Sequence, residues 1–214
     1  MIIEQYGVKL KRITHDDIEL IRFWRNHPDI RRNMAYKKHI TKKMQLEWFE
    51  SINNKNNYYF LIEYKGKDVG VINSKNVNMN DMYGEGGIFI WDTNLDFEFT
   101  AVLASLCFLN AVFFVLKIFN KSFVQILPTN QKAIQFNKNL GYVVVPGQEK
   151  SKNPYYVLTR EDYISKTEKL RSIASKLSND YSSPRAFGNV SDKNLDEINK
   201  VLLELRSSSL DGNL

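Results

Sequence analysis

The chain has 214 residues, 43% of them hydrophobic and 13% aromatic, so it can bury one substantial core and most of it is not disordered. Lys and Arg outnumber Asp and Glu by 30 to 24, a net charge of +6 that favours anionic partners. The basic residues are scattered rather than striped, which argues against nucleic acid as the partner.

A single cysteine, Cys107, cannot form an internal disulfide and fits a reducing compartment. No charged-then-apolar leader opens the sequence, and the apolar run from Ala101 to Leu116 is interrupted by Ser105 and Asn110 and too short to cross a bilayer. A cytoplasmic protein without a membrane span is expected.

From Tyr6 to Ile13 the residues alternate, placing Tyr6, Val8 and Leu10 on one face of a first strand. Thr14 caps a helix with Asp16 and Asp17 in its first turn and Ile18, Ile21 and Trp24 on its apolar face. That helix ends at Arg25-Asn26-His27-Pro28, because a residue before proline is pushed out of the helical region. Asp29 to Ile40 is polar, aromatic and basic together, and His27 and His39 bracket it, so it reads as a loop that touches a ligand. A second cap at Thr41 opens a helix through Leu46, Trp48 and Phe49 to Ile52, and Asn53 to Asn57 forms a turn.

Tyr58 to Tyr64 and Lys67 to Asn73 are strands joined by Lys65-Gly66; after a turn from Met79 to Gly84, Glu85 to Trp91 is the next. A buried helix runs from Phe99 or Thr100 to about Ile118. Ser122, Val124 and Ile126 then alternate on a strand that Pro128 ends, Asn130 caps a helix bearing Ala133, Phe136 and Leu140, and Gly141 closes it. Tyr142 to Val145 and Tyr155 to Leu158 make a final hairpin. The order predicts an α+β fold, a mixed and mostly antiparallel central sheet wrapped by helices, over residues 1–160.

Residues 161–214 read as a helical extension: Glu161 to Lys176, a breaker near 179–190, and Ser191 to Arg206. In the last of these, Leu195, Ile198, Val201, Leu202 and Leu205 form a narrow apolar stripe that needs a partner, either the chain's own domain or a second copy in a homodimer.

The long helix after the fourth strand, followed by Asn130-x-x-Ala133-x-x-Phe136-Asn137-x-x-x-Gly141-Tyr142, resembles the GNAT family of acyl-CoA N-acetyltransferases over roughly Gly7 to Leu158. Phe23-Trp-Arg-Asn-His-Pro-Asp-Ile30, with His39-Ile40 nine residues on, is most similar to the nucleotide-sugar N-acetyltransferases of the pseudaminic-acid pathway and related bacterial surface-polysaccharide enzymes. The resemblance implies transfer of an acyl group from acetyl-CoA, or another acyl-CoA, to the amine of an amino-deoxy sugar carried on a nucleotide.

Such a reaction needs a base for the amine, an N–H for the oxyanion and a donor for the departing thiolate. By resemblance, His39 or Glu85 is the base, each with a plain alternative: His39 as a phosphate or carbonyl contact, Glu85 as an exposed residue at a strand start. Ile90 and Trp91 supply the N–H, Asn130, Ala133 and Asn137 line the CoA arm, and Thr100 and Ala101 start the helix at the pyrophosphate. Trp24, Arg25, Asn26, His27, Tyr36 and His39 face the acceptor, with Arg25 suited to bidentate phosphate contact and Asn26 alternatively a loop brace. No metal is expected.

Two departures from the family stand out. Asp92 to Ala101 has no glycine and three acidic residues where members grip pyrophosphate through a glycine-rich loop, and Asn137 stands where many carry a tyrosine that protonates the thiolate. A non-catalytic GNAT domain, or one acting on a protein or another small amine, are the competing functions.

Overall fold

Ile2–Gln5 (β1) folds straight back on Val8–Arg12 (β2) through Tyr6 and Gly7, both at positive φ, +57° and +74°. The computed structural model describes residues 1–92 and 97–187. A non-glycine residue at positive φ is uncommon, and here the Tyr6 ring repays it by being buried. The predicted first strand is therefore a hairpin: Tyr6 is its turn, while Tyr6, Val8 and Leu10 share the core face as expected.

A 3-10 turn, His15–Asp17, leads into α1 (Ile18–Asn26), and Thr14 N–H donates to Asp17 Oδ2 at 2.7 Å. His27 breaks the helix in an extended conformation, and Pro28 opens the single-turn α2 (Pro28–Arg31), where its missing N–H is harmless. Thr41 Oγ1 accepts from Met44 N–H and starts α3 (Lys42–Ile52).

The sheet continues with β3 (Tyr58–Tyr64), β4 (Lys67–Asn78) and β5 (Tyr83–Ile90). Next come α4 (Phe97–Asn110), β6 (Lys121–Gln125), α5 (Gln131–Asn139), β7 (Val143–Val144) and β8 (Tyr155–Thr159). Among the described residues nine strands form one sheet in the order β7-β8-β6-β5-β4-β3-β2-β1, with a last strand, β9 (Arg185–Phe187), on β1. Only the β5–β6 pairing within it is parallel, as a strand–helix–strand crossover requires.

Helix α4 is apolar all round and lies on one sheet face, with Leu103, Ala104, Leu106 and Cys107 fully enclosed. A π-helical turn, Ala111–Val115, closed by Leu116 N–H to Ala111 O at 2.8 Å, inserts the residue that turns Phe113 into the core. On the other face α1 and α3 enclose a second, smaller cluster around Ile21, Phe49, Leu61, Val71 and Trp91.

The charged helix predicted from Glu161 is two helices, α6 (Arg160–Lys166) and α7 (Glu168–Ser178), jointed at Thr167. They belong to the main core. Tyr163 and Ala174 are buried in it, and Tyr163 OH donates to Asn110 Oδ1 at 2.7 Å while Asn110 Nδ2 donates to Gln5 Oε1 at 2.8 Å. Gln5 Nε2 in turn donates to the Ser182 carbonyl, and Asp180 Oδ2 accepts Tyr6 N–H. The predicted helix from Ser191 to Arg206, and any dimer contact through it, lies outside the described residues.

Candidate active site

The parallel pairing of β5 with β6 stops at Gly86 opposite Val124, although β5 runs on to Ile90. Trp91 N–H donates to Val69 O at 2.9 Å, so by strand alternation Phe89 and Trp91 direct their N–H groups toward β4, and Ile88 and Ile90 direct theirs to the side β6 has left. The predicted donor pair is corrected accordingly: the Trp91 amide is engaged in the ladder, and Ile88 joins Ile90.

A cavity of about 470 Å³ opens at this divergence and passes both faces of β5. Its first wall is the end of β6 and helix α5, through Gln125, Asn130, Ala133, Phe136 and Asn137. Asn130 Oδ1 caps the helix by accepting Ala133 N–H at 3.1 Å, and Asn137 Nδ2 donates to Ala133 O at 2.8 Å. One N–H of the Asn137 amide thus turns back on its own helix; a primary amide has a second.

The inner wall lies under α4. Ser122 and Tyr142 line it, with their hydroxyls 2.7 Å apart and both side chains buried. Burial pushes the Tyr142 phenol up to about 12, against the pull of the Ser122 hydrogen bond. This hydroxyl pair was not singled out by sequence reading, although the alternation placed Ser122 on one strand face with Val124 and Ile126.

The opposite wall gathers Arg25 from α1, Tyr36, Trp48 from α3, Tyr59 from β3, Lys75 from β4 and Glu85 from β5. Lys75 Nζ lies 2.7 Å from Glu85 Oε1, and Asn76 Nδ2 donates to Glu85 Oε2 at 3.3 Å. Burial works against the Lys75 charge, yet the hydrogen bond and the charge of Glu85 hold its pKa above the ordinary lysine value. The Arg25 guanidinium sits 5.7 Å above the Trp48 ring, and Trp48 meets Tyr59 edge to face. Burial lowers the Arg25 pKa, and no carboxylate pairs with it among the described residues. Gly87 leaves room for the Asn73 amide on this wall, since a Cβ there would stand 2.9 Å from Asn73 Oδ1.

Of the predicted site residues, Arg25, Tyr36, Glu85, Asn130, Ala133 and Asn137 line the cavity, whereas Trp24, Asn26, His27, His39, Ile90, Trp91, Thr100 and Ala101 do not. Trp24 stacks on Trp91, whose indole N–H donates to Asp68 O. Asn26 is a brace: Nδ2 donates to Ile40 O at 2.9 Å and Oδ1 accepts Ile40 N–H at 2.8 Å. His27 is the break between two helices, its ring tilted over Trp24, and His39 is exposed beside the pinned Ile40. Helix α4 starts at Phe97, earlier than predicted, so Thr100 and Ala101 are its fourth and fifth residues, buried, with N–H groups turned back along the helix. The first turn of α4 therefore begins at Phe97, and residues 93–96 lie outside the described residues.

The profile described as an acetyltransferase (GNAT) domain matches residues 10–160. The chain belongs to the GNAT acetyltransferase family. Among solved structures, this chain is similar to FdhC, described as a nucleotide-linked sugar GNAT, at 21% identity over 80% of this chain and 97% of that one, with a TM-score of 0.67. The Campylobacter jejuni N-acetyltransferase PseH is similar at 19% identity over 72% and 99%, TM-score 0.55. Spermidine N-acetyltransferase from Vibrio cholerae, solved with CoA and spermine, is similar at 15% identity over 75% and 100%, TM-score 0.60. No curated protein matches the chain.

As a GNAT acetyltransferase this chain takes its acyl group from acetyl-CoA, and PseH has been solved with that cofactor. The described residues fit it. By strand alternation the N–H groups of Ile88, which lines the cavity, and of Ile90, which does not, turn to the side β6 has left, and Asn130, Ala133 and Asn137 line one side of the cavity. Among the described residues no helix is long and apolar enough to cross a membrane.

Proposed function

We propose that this GNAT enzyme acetylates the amine of an amino-deoxy sugar carried on a nucleotide, in the cytoplasm. The observation that carries the reading is Arg25: a cation without a carboxylate partner among the described residues, held over Trp48 on the wall away from the cofactor side. A planar guanidinium stacked on an aromatic ring keeps its donors aimed and suits a phosphate, while Trp48, Tyr59 and Tyr36 offer ring faces to a sugar or base. The resemblance to FdhC and PseH supports the same acceptor class.

Acetyl-CoA supplies the activated acetyl group. The chain contributes the N–H groups of Ile88 and Ile90 for the developing oxyanion, Glu85 as the nearest carboxylate for the amine proton, and Asn137 with the Ser122–Tyr142 hydroxyls as donors on the thiol side. His39, exposed and away from the cavity, is a contact for the acceptor's anionic end instead of the base.

Purified enzyme mixed with acetyl-CoA, with free thiol followed over a panel of nucleoside-diphosphate amino sugars, the bare amino sugars and spermidine, tests this. A nucleotide-linked acceptor is expected to lead, and Arg25→Ala to raise its KM at least tenfold, about 1.4 kcal/mol of binding. Equal turnover of a bare amino sugar, or KM unchanged in the variant, overturns the reading.

A further inference from the structure

At the acceptor wall α1 and three successive strands each contribute one charged or ionisable group. Arg25 comes from α1, Tyr59 from β3, Lys75 from β4 and Glu85 from β5, and Tyr59 lies within electrostatic reach of the other three. Glu85 is the sole carboxylate among the described residues lining the cavity. Both of its oxygens are engaged, one by Lys75 and one by Asn76. Arg25 and Lys75 therefore face an acceptor against a carboxylate that is already paired.

This matters because the same fold serves cationic and anionic acceptors: a spermidine acetyltransferase and a nucleotide-linked sugar GNAT both resemble this chain. A polyamine carries several ammonium groups and needs free carboxylates to replace its hydration. A nucleotide-linked sugar brings phosphates and needs cations. The antiparallel register sets Lys75 opposite Glu85, so the pairing is built into the sheet and does not depend on a mobile loop.

We propose that Lys75 selects the acceptor class, cancelling the Glu85 charge that would attract a polycationic amine and, together with Arg25, presenting positive charge to a phosphate-bearing acceptor. The inference rests on the amino-sugar reading above and deepens it by naming the residue that enforces it. Rejection is the larger part of the device: specificity is a difference of affinities, and an ammonium already on the carboxylate is a repulsive element against a second one.

The test measures kcat and KM separately for a nucleoside-diphosphate amino sugar and for spermidine, at saturating acetyl-CoA, in the wild type and in Lys75→Met, Lys75→Gln and Lys75→Arg. The ratio of kcat/KM for the anionic over the cationic acceptor is expected to fall at least tenfold in Lys75→Met, chiefly through KM, and to stay near wild type in Lys75→Arg. Lys75→Gln replaces the methionine variant if that one does not fold. A ratio within twofold of wild type in the uncharged variants sinks the proposal while leaving the amino-sugar reading intact. Wild-type preference for spermidine overturns the amino-sugar reading itself, and with it this inference.

Discussion

The indole rings of Trp24 and Trp91 lie 3° from parallel with centroids 5.6 Å apart, which ties the last turn of α1 to the end of β5. Arg25 follows Trp24 directly, so this stack sets where the guanidinium enters the cavity. Trp24→Ala is expected to lose about 2 kcal/mol of stability, read as a shift of the urea midpoint at constant slope, and to raise acceptor KM more than acetyl-CoA KM. Equal changes in both KM values would show general loosening instead.

Asn26 holds both backbone groups of Ile40, and with them the end of the segment that carries Tyr36. Asn26→Ala leaves a buried residue's N–H and carbonyl without these partners, a loss of roughly 1–3 kcal/mol. Faster proteolytic cutting between residues 31 and 39, slowed again by saturating acceptor, is the expected result. An unchanged cutting rate contradicts the brace.

Glu85 and His39 separate cleanly in the structure, one with a side chain 13% exposed on the cavity wall and the other exposed outside it. Turnover at saturating substrates should survive His39→Ala within about threefold and fall more than tenfold in Glu85→Gln, the lower range of a general acid or base contribution. The reverse pattern assigns the proton to the histidine.

Asn110 joins the sheet, through Gln5, to α6, through Tyr163. Asn110→Ala removes a fully bonded buried amide and strands its partners, so it should destabilise by about 2–3 kcal/mol. A chain stopped after Arg160 loses Tyr163 and Ala174 from the core and should not fold cooperatively, although the family profile ends there. A cooperative melt from that shortened chain would make residues 161–187 a dispensable addition.

Tyr58 and Tyr142 each have the phenol pushed up by burial to about 12, from an ordinary 10.0. The folded chain therefore keeps protons that the unfolded chain releases, so the stability they confer is full below pH 10.0 and is lost as pH rises from there through about 12. The slope is about 1.4 kcal/mol per pH unit for each tyrosine. Urea midpoints across that alkaline range should fall less steeply in Tyr142→Phe than in the wild type, and parallel curves rule the contribution out.

Local signals served best where one residue decides the backbone. Pro28 ended α1 where expected, Thr41 and Asn130 capped their helices, and Gly141, at φ +94°, closed α5. What local pattern could not show was long-range pairing: β9 meets β1 across most of the chain, Ile2 opposite Phe187. The site divides the same way. Arg25, Asn130, Ala133 and Asn137 came with the family's motifs, Tyr36 with the polar, aromatic loop and Glu85 with the need for a base, whereas Lys75 was missed because the strand was ended at Asn73. Carried to Asn78, that strand brings Lys75 opposite Glu85 by register alone. Thr100 and Ala101 were misjudged because the helix starts inside an aromatic, acidic stretch that does not look like a cap.

Cys107, the single cysteine of the sequence, sits fully enclosed on α4, where burial keeps its thiol protonated far above the ordinary range. A thiol reagent added to the working enzyme therefore counts released CoA and nothing of the protein, because the thiolate is the reactive form. The same reagent in denaturant gains one equivalent from the chain. Each variant discussed above thus carries its own reporter of whether it is folded, readable in the tube in which its turnover is measured.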